Sequence, residues 1–300
     1  MKSGAVLAVV LGVTALAAFR RGDDPAVRIQ VSGRERRYVL HVPPGPRVAR
    51  PLVVLLHGRL GDGAGEARLS YFDPIADSVG ALVAYPDGYR RSWADGRLGT
   101  PADKAGVDDV AFFRALVADV ASREPVDSSR IYVAGMSNGA FMTERLVCDA
   151  ADLIAAAGVV AGTLSDSLAE RCRPSRSVPV MLMNGTGDPL VPYAGGEMSG
   201  GRGHALGVEE TVARWVTWNG CTGAPERRAL PDTAHDGTSV TEERFGRCHG
   251  RADVVELTIT GGGHTWPGGP QYLPKRFIGV SSRNLDGSRT LWTFFAGHRR

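Results

Sequence analysis

Metal-binding and nucleotide-binding patterns are absent from this sequence of 300 residues. It contains four cysteines and seven histidines, yet neither a C-x-x-C nor an H-E-x-x-H spacing occurs. Because zinc sites are commonly built on such spacings, we expect no metal ion. The stretch "GDGAGEA" does not have the G-x-G-x-x-G spacing and lacks an acidic ribose partner, so no dinucleotide is expected either. These absences argue against a zinc site and against a dinucleotide-binding site.

The sequence also lacks any dense run of positive charge. Its 35 basic and 32 acidic residues give a formal net charge of +3, and the densest basic run is "RERR". Nucleic-acid-binding proteins usually cluster their charge, so we expect no nucleic-acid partner. No repeat, low-complexity tract or second-domain linker occurs, and 43% hydrophobic residues can form a full core. We therefore predict one globular domain that acts as a monomer.

Long apolar segments are missing everywhere except at the start, "MKSGAVLAVVLGVTALAAFRRGDD". A single lysine, an apolar stretch and an A-x-A pattern predict a signal peptide over residues 1–18, cleaved near Ala17 or Ala18. A linker over 19–34 and a catalytic domain over 35–300 would follow. Since the apolar stretch is shorter than the roughly 20 residues of a membrane-spanning helix, we expect an extracellular protein. An uncleaved N-terminal membrane anchor is the alternative.

Cysteine is scarce, and all of it lies in the part expected to be exported. An even number of cysteines in an oxidising compartment indicates two disulfides. Three pairings are open, and the one that closes the shortest loops joins Cys148 to Cys172 and Cys221 to Cys248. We favour this pairing.

Short apolar runs alternate with amphipathic segments along the chain. "PLVVLLHG", "ALVAYP", "RIYVAGM", "VPVMLMNG" and "VVELTIT" are typical of strands buried on both faces. Segments such as "VDDVAFFRALVADVAS" and "NGAFMTERLVC" have the pattern of helices, and "RRYVLHVP" that of an edge or antiparallel strand. This alternation predicts an α/β fold with a mostly parallel sheet covered by helices on both faces. The glycine-rich stretch over 195–207 is predicted to be a surface loop.

The segment "RIYVAGMSNGAFMTERL" places Ser137 where a predicted strand gives way to a predicted helix. Gly135 and Gly139 would allow the tight turn that projects the serine hydroxyl above the sheet, as in the nucleophile elbow of α/β-hydrolases. A serine hydroxyl becomes nucleophilic only with a base that takes its proton and an acid that orients the base. This interpretation therefore requires an aspartate and a histidine downstream.

Asp188 follows the strand "VPVMLMNG", and His264 lies in "GGGHTWPGG" after the strand "VVELTIT". Serine, aspartate and histidine in this chain order are typical of the α/β-hydrolase topology. The competing acids Asp108 and Asp109 are predicted to stabilise a helix start. The competing histidines lie in polar, turn-rich segments and are His235 and His249.

Two backbone N–H groups are candidates for stabilising a tetrahedral oxyanion. One belongs to Asn138, at the start of the helix that follows the serine, and the other to Arg59, in the turn "HGR" after an early strand. His57 is predicted to brace this turn rather than to titrate. Three aromatic side chains could line a substrate pocket, with core packing as the alternative role: Trp93, Tyr193 and Trp266.

The blocks "VVLLHG", "YPDG", "SWADGR", "GMSNGAFMTERLVCDAADLIAAAGVVAGT", "NGTGDPLVPYAGG" and "GGGHTWPGGPQYLP" resemble the secreted polyhydroxybutyrate depolymerase and feruloyl esterase family, most closely its LpqC-type esterases. The resemblance covers nearly all of the chain from about residue 36. It implies Ser137 as nucleophile, Asp188 and His264 as its partners, and a carboxylic ester hydrolase without a cofactor.

The predicted function is therefore that of a secreted serine esterase. The chain ends after "SRTLWTFFAGHRR" with no separate binding module, which favours soluble over crystalline substrates. We expect hydroxybutyrate oligomers, feruloyl or acetyl esters, or short-chain acyl esters. The alternative is a catalytically weak or silent hydrolase fold that serves as a cell-surface binding protein, and the presence of all three catalytic residue types weighs against it.

Overall fold

A ten-stranded mixed sheet crosses the computed structural model, which describes residues 26–300. The predicted signal peptide lies outside the described residues. Along the sheet the strands follow the order β1-β2-β4-β3-β5-β6-β7-β12-β11-β10, and β8 and β9 form a separate pair. The strands are β1 Val27–Val31, β2 Arg34–His41, β3 Arg50–Leu56, β4 Leu82–Pro86, β5 Val126–Met136, β6 Ala156–Val160, β7 Val180–Gly185, β8 Gly196–Glu197, β9 His204–Ala205, β10 Glu226–Ala229, β11 Ser239–Phe245 and β12 Val254–Thr260.

Six neighbouring strands run parallel to one another, namely β4, β3, β5, β6, β7 and β12. The outer strands β1, β2, β11 and β10 pair antiparallel with their neighbours. β3, β4, β6 and β7 are buried along their whole length, as expected for continuous apolar runs between two helical layers. The helices are α1 Gly63–Ser70, α2 Asp73–Val79, α3 Pro101–Lys104, α4 Asp109–Arg123, α5 Asn138–Asp149, α6 Asp166–Arg171, α7 Val208–Trp218, α8 Lys275–Ile278 and α9 Gly287–Ala296.

Helices cover both faces of the sheet, as predicted. Because side chains alternate along a strand, Leu52 and Val54 of β3 point to one face and Val53 to the other. The first face packs against α4, α5 and α7, and the second against α2 and α9. Within residues 26–300 no helix is long and apolar enough to cross a membrane.

Three segments differ from the expectations. β1 lies inside the stretch 19–34 that we expected to be a linker, and it pairs with β2 at the sheet edge. The glycine-rich stretch over 195–207 holds the short β8–β9 pair. β10 and β11 extend the other edge although no pattern in the sequence predicted them.

The two disulfides join the cysteines as we favoured. Cys148 in the last turn of α5 is bonded to Cys172, which follows α6. Cys221, after α7, is bonded to Cys248, before β12.

Candidate active site

Ser137 stands alone between the end of β5 and the start of α5. Its φ of 57° and ψ of −120° lie in a region that non-glycine residues rarely adopt, which is typical of a nucleophile elbow. A Cβ on Gly135 would lie 2.5 Å from the Gly139 carbonyl oxygen, and one on Gly139 would lie 2.0 Å from that of Leu56. Both glycines are therefore required by close backbone packing beneath the serine. The strand–turn–helix geometry predicted for this segment is present.

Asp188 and His264 form a buried hydrogen-bonded pair. Asp188 follows β7 and His264 follows β12, and these strands are parallel neighbours, so their carboxyl-end loops meet. The distance from His264 Nδ1 to Asp188 Oδ2 is 2.7 Å, and the two side chains are 4% and 3% exposed. The other carboxylate oxygen accepts the N–H groups of Leu190 and Val191. With Nδ1–H donated to the carboxylate, the histidine presents Nε2 as a proton acceptor.

Ser137, Asp188 and His264 all lie just beyond the carboxyl ends of strands. They lie at the same end of the sheet's strands, because β5, β6, β7 and β12 are consecutive and parallel. The Ser137 hydroxyl is partly exposed and makes no hydrogen bond to any residue within 26–300. In substrate-free sites the bond between nucleophile and base is often long and tightens only in the substrate complex.

The turn after β3 lies directly beside the serine. A Cβ on Gly58 would come within 3.4 Å of the Ser137 Cβ, and Arg59 is the next residue along this turn. His57 Nε2 accepts the N–H of Gly88 at 2.9 Å, so Nδ1 carries the proton and donates to the Gly58 carbonyl. Burial lowers the pKa of His57, which keeps the ring neutral. His57 is thus positioned to brace the turn.

Asn138 is held by a buried polar network that the sequence did not reveal. Its amide oxygen accepts the N–H of Trp93 at 2.8 Å, and its amide nitrogen donates to Asp95 at 2.5 Å. Asp95 also pairs with Arg97, and the guanidinium stacks 4.1 Å above the Phe141 ring. As the first helical residue, Asn138 has a backbone N–H without an acceptor inside the helix. The only signal for this network was the block "SWADGR", which carried the family resemblance.

The three aromatic candidates each have a polar atom bonded within the protein. Trp93 is 1% exposed, and its indole N–H donates to the His57 carbonyl. Trp266 is also 1% exposed and donates to Ser288. The Tyr193 hydroxyl donates to Glu256 on β12, away from the carboxyl ends of the strands. The polar atoms of these residues are engaged in the interior, and their lining of a substrate pocket stays a prediction.

The competing acids and histidines lie elsewhere. Asp108 caps α4 through the N–H of Ala111, and Asp109 forms a buried ion pair with Arg36 at 2.6 Å. His235 is 81% exposed at its side chain, and His249 is exposed. Within residues 26–300 no group of three or more histidine, cysteine, aspartate or glutamate side chains could hold a metal ion.

Comparisons with known proteins find esterases among those that this chain resembles. A family model described as "Esterase PHB depolymerase" matches residues 36–196. A protein of Nocardia uniformis subsp. tsuyamanensis that is named as an esterase, NocK, is 32% identical over 284 residues, which cover 91% of this chain and 82% of that protein. Feruloyl esterase B of Piromyces equi is 32% identical over 225 residues, which cover 72% of this chain and 40% of that longer protein.

Among solved structures, an acetyl xylan esterase from Aspergillus awamori aligns with a TM-score of 0.57 at 16% identity. The alignment covers 87% of this chain and 94% of that one. At this identity the likeness concerns the fold alone, which is that of an α/β-hydrolase.

Proposed function

This chain belongs to the Esterase PHB depolymerase family and is a carboxylic ester hydrolase, and we propose that it cleaves soluble esters through an acyl-enzyme formed on Ser137. The candidate substrates are hydroxybutyrate oligomers, feruloyl or acetyl esters, and short-chain acyl esters. The description of the matching family and the names of the relatives support these ester classes. The observation that carries the proposal is the 2.7 Å hydrogen bond between His264 Nδ1 and Asp188 Oδ2. This bond lies at the carboxyl ends of the parallel strands, where Ser137 also lies.

In the acylation step, Ser137 Oγ attacks the ester carbonyl carbon while His264 Nε2 takes the hydroxyl proton. The carboxylate of Asp188 holds the ring through Nδ1–H and stabilises the imidazolium that forms. The oxyanion accepts the backbone N–H groups of Asn138 and Arg59, and each such donor typically lowers the barrier by about 3 kcal/mol. His264 then gives its proton to the leaving alcohol oxygen as the ester C–O bond breaks.

Deacylation repeats these steps with water. His264 takes a proton from the water molecule that attacks the acyl carbonyl, and a second tetrahedral oxyanion forms at the same donors. The bond to Ser137 Oγ then breaks, and the serine regains the proton from His264. The carboxylic acid product leaves, and the site returns to its starting state.

We also propose that the protein is exported. Its two disulfides support this, because such bonds form and persist in oxidising compartments. The predicted signal peptide is consistent with the same route. Sequencing the N-terminus of the protein recovered from the culture medium is the test, and a mature chain that begins near Ala18 is expected.

Hydrolysis of p-nitrophenyl butyrate tests the catalytic proposal. We expect the wild-type protein to release p-nitrophenol and Ser137→Ala to lose nearly all of this activity. Ser122→Ala is the matched control, because Ser122 lies on α4 and its hydroxyl bonds only to the Asp119 carbonyl. A Ser137→Ala protein that remains folded and fully active would refute the assignment.

A further inference from the structure

A cavity of about 640 Å³ lies between the strands β10 and β11 and the helix α9. Its volume falls within the roughly 300–1,000 Å³ of typical small-molecule sites. Asp253, which directly precedes β12, and Met181, the second residue of β7, both line it. The cavity therefore lies toward the amino ends of the parallel strands, whereas the catalytic residues follow their carboxyl ends. It is separate from the candidate active site.

The floor of the cavity is apolar. It is formed by side chains that belong to the apolar cluster on this face of the sheet or pack against it, namely Met181, Leu230, Leu285 and Phe294. His298, which follows α9, also lines the cavity, and its ring centroid lies 4.6 Å from that of Phe294. Such a floor favours the apolar or aromatic body of a ligand.

The charges on the wall of the cavity do not balance. Four arginines and two carboxylates line it. Glu242 pairs with Arg228, and Asp253 pairs with Arg244, each at 3.0 Å. Both carboxylates are thereby engaged, and two guanidinium groups are left without a counter-ion on this wall.

The two remaining guanidinium groups belong to Arg247 and Arg251. Among residues 26–300 no ion pair or hydrogen bond engages either side chain. Both arginines lie between β11 and β12, in a segment that the disulfide from Cys248 to Cys221 ties to the chain after α7. This covalent cross-link holds the two charges at the cavity. Two like charges on one wall without a counter-ion favour an anionic ligand.

We propose that this cavity is a second binding site, which takes a small molecule with a carboxylate head and an apolar or aromatic body. Arg247 and Arg251 bind the carboxylate, because the planar guanidinium donates parallel N–H groups that match its geometry. The apolar floor binds the body of the ligand. The site does not depend on the proposed hydrolysis, since none of its residues belongs to the catalytic arrangement.

The test measures binding of three probes to the full chain by isothermal titration calorimetry. Cinnamate has the charge and the aromatic body, cinnamamide has the body alone, and acetate has the charge alone. We expect cinnamate to bind with a Kd roughly tenfold lower than that of cinnamamide at low salt, as for two exposed ion pairs acting together. Acetate should bind roughly tenfold or more weakly than cinnamate, because it buries little apolar surface. Since exposed charges are screened, 0.5 M NaCl should reduce the preference for cinnamate over cinnamamide.

A charge series at the two arginines gives the decisive comparison. Arg247→Gln and Arg251→Gln should each lower the preference for cinnamate over cinnamamide, and the double variant should bring it close to one. Arg251→Lys keeps the charge and should keep most of the preference, which a purely structural role of the side chain would not explain. Hydrolysis of p-nitrophenyl butyrate should be unchanged in all of these variants.

Arg227→Gln is the matched control for the change in net charge. Arg227 precedes Arg228 on β10 and points to the other face of the sheet, where it pairs with Glu243. This variant should therefore keep the wild-type preference.

Three results would overturn the second site. The first is a wild-type protein that binds cinnamate no more tightly than cinnamamide or does not bind it at all. The second is an unchanged preference in the double variant, which would place the bound cinnamate elsewhere, as in the active site. The third is an equal loss of preference in Arg227→Gln, which would assign the effect to overall charge.

Discussion

Charged residues are used in opposite ways in the middle of the sheet and at one of its edges. Beside Ser137, Asp95 and Arg97 are 0% and 6% exposed at their side chains, and their pair holds the amide of Asn138. On β10 and β11, Arg228 and Glu242 pair across the strands at 3.0 Å with 69% of the arginine side chain exposed. The buried pair fixes a position, because removing either partner leaves a buried charge unmatched. The exposed pair keeps an edge strand charged, which discourages pairing with other chains.

The largest expected effect lies at the catalytic residues. Ser137→Ala and His264→Ala should each lower kcat by roughly 10⁴-fold or more, and the double variant should be little worse than either, because the two residues act as a unit. Steady-state kinetics on p-nitrophenyl butyrate measures this. Losses that multiply in the double variant would show that the two side chains act independently.

The next largest effect is on stability, which should separate the buried ion pair from the exposed one. Asp95→Ala leaves Arg97 buried without its partner and should lower the free energy of unfolding by about 3–5 kcal/mol. Glu242→Ala removes a partner from a mostly exposed arginine and should cost less than about 1 kcal/mol. Urea unfolding measures the loss in both variants, and equal losses would show that the buried and the exposed pair contribute alike to stability.

Glu144 lies on α5, which begins after the serine. Its carboxyl is buried and has no charged partner among residues 26–300, unlike the carboxylate of Asp95. Burial raises the pKa of Glu144 from 4.5 to about 8, while Trp215 donates to one oxygen. Between these values the folded state holds a proton that the unfolded state has lost, so this group makes stability fall as pH rises from about 5 to 8. Glu144→Gln keeps an acceptor for Trp215 and should remove a fall of about 3–4 kcal/mol over this range.

Denaturation curves at pH 5 and pH 8 test this prediction. The wild type should lose more stability between the two pH values than Glu144→Gln does. Glu243→Gln serves as the control, since Glu243 lies on β11 and pairs with the exposed Arg227. An identical pH dependence in the wild type and Glu144→Gln would mean that the carboxyl is ionised without cost in the folded protein.

The interior strands and this edge of the sheet also differ in how far sequence could predict them. The strands β3, β4 and β7 lie between helical layers, so burial on both faces gave them continuous apolar runs. β10 reads "ERRA" and is exposed throughout, and β11 is largely polar. Edge strands of this kind are held by backbone pairing to their neighbours, which leaves no periodic apolar pattern to detect.

The residues of the candidate site also differ in how far the sequence could predict them. Ser137, Asp188 and His264 could be predicted because each follows a recognisable strand in a chain order that the topology imposes. The Asp95–Asn138 contact joins residues far apart in sequence, and nothing local to either residue signals it. Trp93 and Trp266 lie close to catalytic motifs in sequence, but their large apolar area drew them into the interior.

Helix α5 is anchored at both of its ends. At its start the chain is locked by the elbow at Ser137, and in its last turn Cys148 is bonded to Cys172. A helix held at both ends fluctuates less than a helix held at one end. Since an error of about 1 Å in the placement of a reacting group can cost a hundredfold in rate, the aim of the nucleophile depends on this stiffness. The precision of the serine is therefore tied to the redox state of the surroundings, through a covalent bond about three helical turns away.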